Sequence, residues 1–509
     1  MDEGSPSART RIDMAPRLTA IIVGAGMSGL LAGIRLKREG IDSFVILEKS
    51  ADVGGVWHEN TYPGASCDTP SPVYAYSFRS KPDWSRMFAA QPEILEYFRD
   101  AADDTGLRPH IAFNVEAQGA VFEEREGLWH VSASGERSWT ARFLILATGQ
   151  LNRPLVPDVP GKRDFAGVQF HSARWNHNAN IAGKRVVAVG TGASAVQYVP
   201  HLAQNAGQLT VVQRSANWIV PRKDFAFSHG WQTGFRWFPI LQTMLRAYAF
   251  SRRELAHRAI GNPGGLMARR LENTARRHLE EQVPDPVLRR KLTPGHPPGC
   301  KPLLVTNDYY PALMRKNVEL VTAPVTRVHQ TGVELANGMR IPAEILIWGT
   351  GFHTASAIAP VEVTGLEGQD LRDKWEKGAY AYKGTLVSGF PNMAVLYGPN
   401  THIEHNSMIF IAERQMDFTI QMIRTVLGRD LRYADVRADA EAAWNEALRR
   451  RLGRSVWAAD CESWYKHDGR IPNNWPGTAS AFAWNMRSLE EREFDLCSRS
   501  VPGMTGQFV

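Results

Sequence analysis

The 509 residues predict an α/β fold of two parallel-sheet units with a helical insert, and three observations carry that prediction. A short apolar run from Thr19 to Val23 leads into Gly24-Ala-Gly26-Met-Ser-Gly29, and a second from Arg185 to Val189 leads into Gly190-Thr-Gly192-Ala-Ser-Ala195. Each is followed by a helical pattern and another apolar run, the strand–turn–helix–strand order of a Rossmann-like dinucleotide-binding unit. Between residues 225 and 298 that alternation stops and the pattern turns helical.

Apolar residues make up 43% of the chain and charged ones 22%, the balance of an ordinary soluble protein long enough for two or three cores. No run of eighteen apolar residues exists, so no stable membrane insertion is expected. Residues 1–17 are polar on balance, carry no apolar core and read as a flexible tail. Cys67, Cys300, Cys461 and Cys497 form neither a CxxC pair nor a metal-ligand spacing. They are expected to be reduced thiols in a cytoplasmic protein without a metal centre. The net charge of +7 comes from Lys and Arg spread along the chain and not gathered in blocks, so no nucleic-acid partner is expected. Part of the excess would serve two anionic dinucleotides.

In the first unit, Leu30 to Lys37 reads as a helix stopped at Gly40, and Phe44 to Leu47 as a strand ending in Glu48. The three glycines allow a tight turn, close approach of a pyrophosphate and close helix packing, and Glu48 is placed to accept hydrogen bonds from a ribose. Residues 54–76, GGVWHENTYPGASCDTPSPVYAY, are too apolar for a solvated linker and too broken for a helix, so this loop is expected to fold over a flat ligand. Asp68 within it either caps the loop or tunes nearby charge. Ile111 to Glu124 and Leu128 to Val131 read as strands of a small sheet, and Phe143 to Leu146 as a buried strand ending Ala147-Thr148-Gly149. LNRPLVPDVPG then reads as a proline-rich connection.

In the second unit, the strand Leu209 to Val212 ends Gln213-Arg214-Ser215, with no acidic residue where Glu48 stood. An acidic side chain there would repel a 2′-phosphate, whereas Arg214 pairs with one, so the second nucleotide is expected to be NADP. In the insert, Leu241 to Ile260 and Met267 to Gln282 read as helices. The aromatic piece RWFPILQTMLRAYAF can be packed core, or a membrane-surface or substrate-access element. A strand from Glu344 to Ile347 then ends Trp348-Gly349-Thr350-Gly351. LYGPNTHIEHNSMIF, residues 396–410, joins a strand and turn to a helix start, and residues 461–477 form another aromatic loop of the kind that covers ligands. The boundaries expected are a tail at 1–17, an FAD-binding domain at 18–155 and 365–509, an NADP-binding domain at 161–224 and 299–353, and the insert at 225–298.

Two such units in one chain imply hydride transfer from NADPH to a tightly held flavin. Without a redox CxxC, disulfide reduction is an unsuitable outlet, which leaves a small acceptor such as dioxygen.

Phe165-x-Gly167-x-x-x-His171-x-x-x-Trp175 resembles the FxGxxxHxxxW fingerprint of type I Baeyer–Villiger monooxygenases, flanked as in that family by both glycine turns. GGVWHENTYPGASCD, ATGQLNRP, QRSANW, NDYYPAL, GPNT, HNS and NNWPG look like family segments in family order. The resemblance implies that Gly24, Gly26, Gly29 and Glu48 hold FAD, with Gly55, Trp57, Asp68 and Tyr74 near the flavin. It implies that Gly190, Gly192, Ala195, Arg214, Ser215 and Lys301 hold NADPH. Asp68 and Lys301 become candidate catalytic residues, and His171, in what reads as an interdomain linker, a domain-coupling one. The chemistry implied is addition of dioxygen to reduced flavin and attack of the resulting C4a-peroxide on a small hydrophobic, cyclic ketone, giving an ester or lactone.

The chain departs from that family where Gly-Cys-Lys-Arg is usual: it reads Gly299-Cys300-Lys301-Pro302. Proline carries neither charge nor N–H and cannot stabilise an anion. Smaller departures are Asn176, Gly349 and Glu404. Three readings stay open at this point. A cation from elsewhere, such as Lys301 or Arg79, preserves ketone oxidation; or the missing cation favours oxygen transfer to nitrogen, sulfur or a carbon double bond; or the chain is a nucleotide-binding partner without turnover.

Overall fold

The computed structural model describes residues 17–353, 361–461, 463–467 and 469–499. Its first unit is an eight-stranded sheet in the order Glu362–Thr364, Ala117–Glu123, Leu128–Ala133, Arg137–Leu146, Leu18–Val23, Phe44–Glu48, Ile111–Phe113, with Met393–Val395 pairing the end of Arg137–Leu146. Arg137–Leu146 is long enough to serve two sets of neighbours. It pairs antiparallel with Leu128–Ala133 through its first half and parallel with Leu18–Val23 and Met393–Val395 through its second. That second half and Leu18–Val23 are buried on both faces, which explains their unbroken apolar run. The core beneath gathers residues from both ends of the chain: Ile22, Leu30 and Phe143 pack with Ile409, Met416 and Phe482. The strand Glu362–Thr364 already belongs to this sheet, three residues ahead of the boundary expected at 365.

The second unit is a five-stranded, wholly parallel sheet in the order Val318–Val321, Gln208–Val212, Arg185–Val189, Ile345–Trp348, Val168–His171. The fingerprint segment is therefore not a linker, as its position suggested, but the edge strand of this sheet, with His171 in register with Trp348. Its other members have packing reasons to be there. A Cβ at Gly167 would run into the Glu344 carbonyl, and Trp175 stacks edge-on against Phe170 at 5.1 Å.

The insert consists of helices His229–Trp237, Pro239–Gly261, Leu266–Gln282 and Pro286–Leu292. Among the described residues no helix is long and apolar enough to cross a membrane. The expectation of four free thiols is corrected: Cys300 and Cys461 form a disulfide with a Cα–Cα distance of 6.5 Å, and only Cys67 and Cys497 are free. Their separation of 161 residues hides the pairing from any spacing argument.

Candidate active site

The two glycine turns are built alike. Val23 lies opposite Leu47 and Val189 opposite Val212, so the strand register makes Glu48 and Gln213 equivalent, and the residue after Gln213 is Arg214. Gly24 (φ +102°) and Gly190 (φ +108°) adopt left-handed backbone that a side chain would strain. Each also closes on the end of the neighbouring parallel strand: a Cβ at Gly24 would stand 2.7 Å from the Ala147 carbonyl oxygen, and one at Gly190 would run into that of Gly349. Ala147-Thr148-Gly149 and Gly349-Thr350-Gly351 thus occupy matching places. Gly349 itself leaves room for the Tyr198 hydroxyl, which a Cβ would strike. Gly29 packs against the Gly24 carbonyl, and Ala195 is buried in the core of the second unit. These two support the turns from behind and do not line the cavity.

Both turns open into one cavity of about 1390 Å³, larger than the roughly 300–1,000 Å³ of a typical small-molecule site. Gly24, Gly26, Glu48, Gly55, Trp57 and Tyr74 line it on one side. Gly190, Gly192, Arg214, Ser215 and Lys301 line it on the other. Glu48 is buried and fixed, its carboxylate accepting from the N–H of Ala25 at 2.6 Å and of Ser50 at 2.8 Å. Lys301 Nζ donates to Ser215 Oγ at 2.8 Å, which sets the ammonium beside Arg214's strand end. Trp57 Nε1 donates to the Tyr74 hydroxyl at 2.9 Å, so the loop braces itself.

Asp68 also lines the cavity, on the loop expected to cover a ligand. What holds this loop is legible in no local motif. Gln197 from the second unit accepts from Tyr62 and Ser66 and donates to the Ser66 carbonyl at 3.0 Å. Arg222 donates to Ser66 Oγ, Cys67 O and Phe88 O. Arg253, from the insert, donates to the Asp68 carbonyl at 2.5 Å and that of His405 at 3.2 Å. Hydrogen bonds from a charged guanidinium to backbone carbonyls are among the stronger ones, of roughly 1.5–3 kcal/mol each.

His171 is not at the cavity. Its Nδ1 accepts from the Ala173 N–H at 3.1 Å, its ring meets Phe352 edge-on, and burial pushes its pKa down to about 4. It is a neutral wall-backing residue behind Gly351 and Phe352, which do line the cavity. Arg79 is likewise elsewhere, paired with Asp104 and stacked over Tyr97.

A pyridine nucleotide-disulphide oxidoreductase family model matches residues 21–228. That stretch holds a single cysteine, Cys67, whose thiol burial pushes up to about 12, so the likeness lies in nucleotide-binding architecture and not in a redox cysteine pair. A Baeyer–Villiger monooxygenase of Pseudomonas aeruginosa is 40% identical over 478 residues, covering 93% of this chain and 89% of the relative. One of Streptomyces coelicolor is 37% identical over 490 residues, covering 95% and 93%. The solved structure of OTEMO in complex with FAD and NADP superposes with a TM-score of 0.86 at 28% identity, covering 95% of this chain and 100% of that one. The chain belongs to the Baeyer–Villiger monooxygenase family.

In this monooxygenase the residues expected to depart from the family pattern have a place. Asn176 accepts through Oδ1 from the Asn178 N–H, closing a turn after the fingerprint. Pro302 and Glu404 both line the cavity. The Glu404 carboxyl receives Trp457 Nε1 at 3.4 Å, and burial pushes its pKa up to about 8, with Trp457 and Tyr465 pulling the other way. It therefore holds a proton at neutral pH. His402, beside it on the wall, shares a 2.8 Å hydrogen bond with the Tyr397 hydroxyl and is kept neutral by burial, which pushes its pKa down to about 4. The helix Met408–Gly428 begins here, with Asn406 and Met408 on the cavity wall and the buried Ser407 hydroxyl unpaired within the protein.

Proposed function

We propose that this flavin- and NADPH-dependent monooxygenase inserts one atom of dioxygen beside the carbonyl of a hydrophobic cyclic ketone, giving an ester or lactone. The observation that carries the reading is the single cavity into which both glycine turns open. FAD fits the first side: Gly24 makes the tight turn, Gly26 leaves a pyrophosphate room against the backbone, Glu48 retains lone pairs for ribose hydroxyls, and the start of Met408–Gly428 offers polar groups to a ring edge. NADPH fits the second: Gly190 makes the turn, Gly192 has nothing within 4 Å of where a Cβ would stand, neutral Gln213 replaces the acid, and Arg214, Ser215 and Lys301 suit a 2′-phosphate. When bound and reduced by NADPH, FAD supplies the electrons that activate dioxygen.

The protein's own residues orient and exclude. Trp57, Tyr74 and Trp464 give the cavity apolar faces suited to a ring-shaped substrate. The loop carrying Asp68, gripped by Gln197, Arg222 and Arg253, shuts one side from water. With Pro302 unable to offer charge, the positive groups on the wall include Lys301 and Lys466. Glu404 holds a proton on a carboxyl oxygen and can donate it as a hydrogen bond to an oxygen developing charge. A requirement for NADPH suits a cytoplasmic enzyme.

Steady-state NADPH consumption across cyclic ketones, open-chain ketones and sulfides, with products analysed by mass spectrometry, tests the substrate class. The expected result is the highest kcat/KM for hydrophobic cyclic ketones with lactone recovered. Sulfoxides as the only oxygenated products would overturn it.

A further inference from the structure

The insert has a surface that ketone oxygenation leaves unexplained. Residues 225–298 contain twelve Lys and Arg against five Asp and Glu, a net charge of +7, which equals that of the whole chain. The remaining residues are therefore balanced, and the basic excess is local to one helical layer.

The same layer exposes apolar side chains in register. From the end of His229–Trp237 into Pro239–Gly261, Trp237 is 76% exposed, Phe238, Ile240 and Met244 are each 62% exposed, and Leu241 and Tyr248 follow. Within Pro239–Gly261, positions 241, 244 and 248 recur every three or four residues, one helix face that Leu255 extends, and Trp237 and Phe238 lie at the break just before it. The opposite face is the docked one: Gln242 donates to Lys81 O, Arg246 to Pro72 O and Ala75 O, and Arg253 to Asp68 O. The exposed face is thus not an unfinished core, because the helix has already buried its other side. Cations flank it. Arg252 donates to the Tyr248 hydroxyl at 3.1 Å, and Arg258, Arg269 and Arg270 are exposed on the same helical layer.

Aromatic and aliphatic side chains on one face with arginines beside them form the pattern of a helix lying in a lipid interface, where apolar groups enter the acyl boundary and guanidinium groups meet headgroups. Each basic residue near an anionic surface adds to that attraction. A second copy of this chain is a poorer occupant, since it would bring the same +7 against itself. We propose that the insert docks this enzyme peripherally on an anionic membrane surface through Trp237, Phe238, Ile240 and Met244. Nothing in this docking requires a spanning helix. Its consequence is positional: the inner side of the docked helix grips the 66–83 segment, whose Asp68 and Tyr74 line the cavity, so an apolar substrate dissolved in lipid would meet the enzyme at that wall.

The test is co-sedimentation of the FAD-loaded full chain with vesicles of phosphatidylcholine alone and of phosphatidylcholine with phosphatidylglycerol, together with light scattering of the free protein. Binding to the anionic vesicles only, weakened by added salt and reduced about tenfold or more by M244E, is the result expected. M244E is at the surface and away from the cavity, so it retains its flavin and melting temperature. No binding to anionic vesicles, equal binding to both compositions, or binding indifferent to M244E would overturn the proposal. So would a dimer that M244E dissolves in a protein that ignores vesicles, which would assign the face to a second copy.

Discussion

At the scale of single residues, charge at the cavity wall decides the account. Glu404 has a folded pKa of about 8, above its ordinary value near 4.5. The unfolded chain then ionises first, so the folded state loses stability as pH rises from the ordinary carboxyl range to about 8 and no further beyond it. Glu404→Gln, which cannot ionise, should match the wild type near pH 4 and exceed it by a few kcal/mol at alkaline pH. Melting curves over that range check the prediction. A constant difference at every pH would mean that folding leaves the Glu404 carboxyl at its ordinary pKa. Arg214 carries the choice of nucleotide. Arg214→Ala should raise KM for NADPH about ten- to a hundredfold, the worth of one charge-assisted pair, and leave NADH kinetics nearly unchanged. The identity of Glu48, Gln213 and Arg214 as the contrasting positions was readable from sequence, since each stands at a strand end next to a glycine turn. The consequence of Glu404 was not, because its burial depends on Trp457 and Tyr465, more than fifty residues away.

At the scale of elements, the two turns are close approaches of backbone to backbone. Gly190→Ala would push a methyl group into the Gly349 carbonyl and strain φ +108°. The variant should keep its flavin yet lose NADPH-dependent flavin reduction, observable as a failure to bleach under anaerobic conditions. Gly24→Ala should instead be isolated without FAD. The elements themselves were legible: strands such as Arg185–Val189 are short and apolar because both faces are covered, one by the helix Ala193–Asn205 and the other by the small antiparallel sheet of Val325–His329, Gly332–Leu335 and Arg340–Pro342, and Pro239–Gly261 and Leu266–Gln282 lie within two residues of their sequence-derived ends. The edge strand Val168–His171 was misread as linker. A four-residue strand with two buried positions carries little periodicity, and its partner, Ile345–Trp348, is far along the chain. Long range also hid the Cys300–Cys461 bridge, which ties the segment bearing Lys301 and Pro302 to the aromatic loop after 461.

At the scale of the whole molecule, the loop at 54–76 belongs to the first unit by sequence and is held by the second unit and the insert. Arg253→Ala removes two hydrogen bonds, one to the loop's Asp68 carbonyl and one to that of His405. NADPH should then be consumed with less product and more hydrogen peroxide, and the melting temperature should fall by several degrees, on the order of 3–5 kcal/mol. Unchanged coupling would mean that Gln197 and Arg222 suffice. The layout of two nucleotide units and an insert followed from local pattern. Their convergence on one cavity did not, because it is made by these cross-unit clamps.

Isotope labelling tests that convergence. The FAD-loaded enzyme is supplied with NADPH, a cyclic ketone and oxygen-18 gas, and the product mass is read. One labelled atom in a lactone, with one NADPH oxidised for each product formed, is the result the structure predicts. A ketone recovered unlabelled while NADPH is consumed, or an oxygenated product whose added oxygen comes from water, would contradict it.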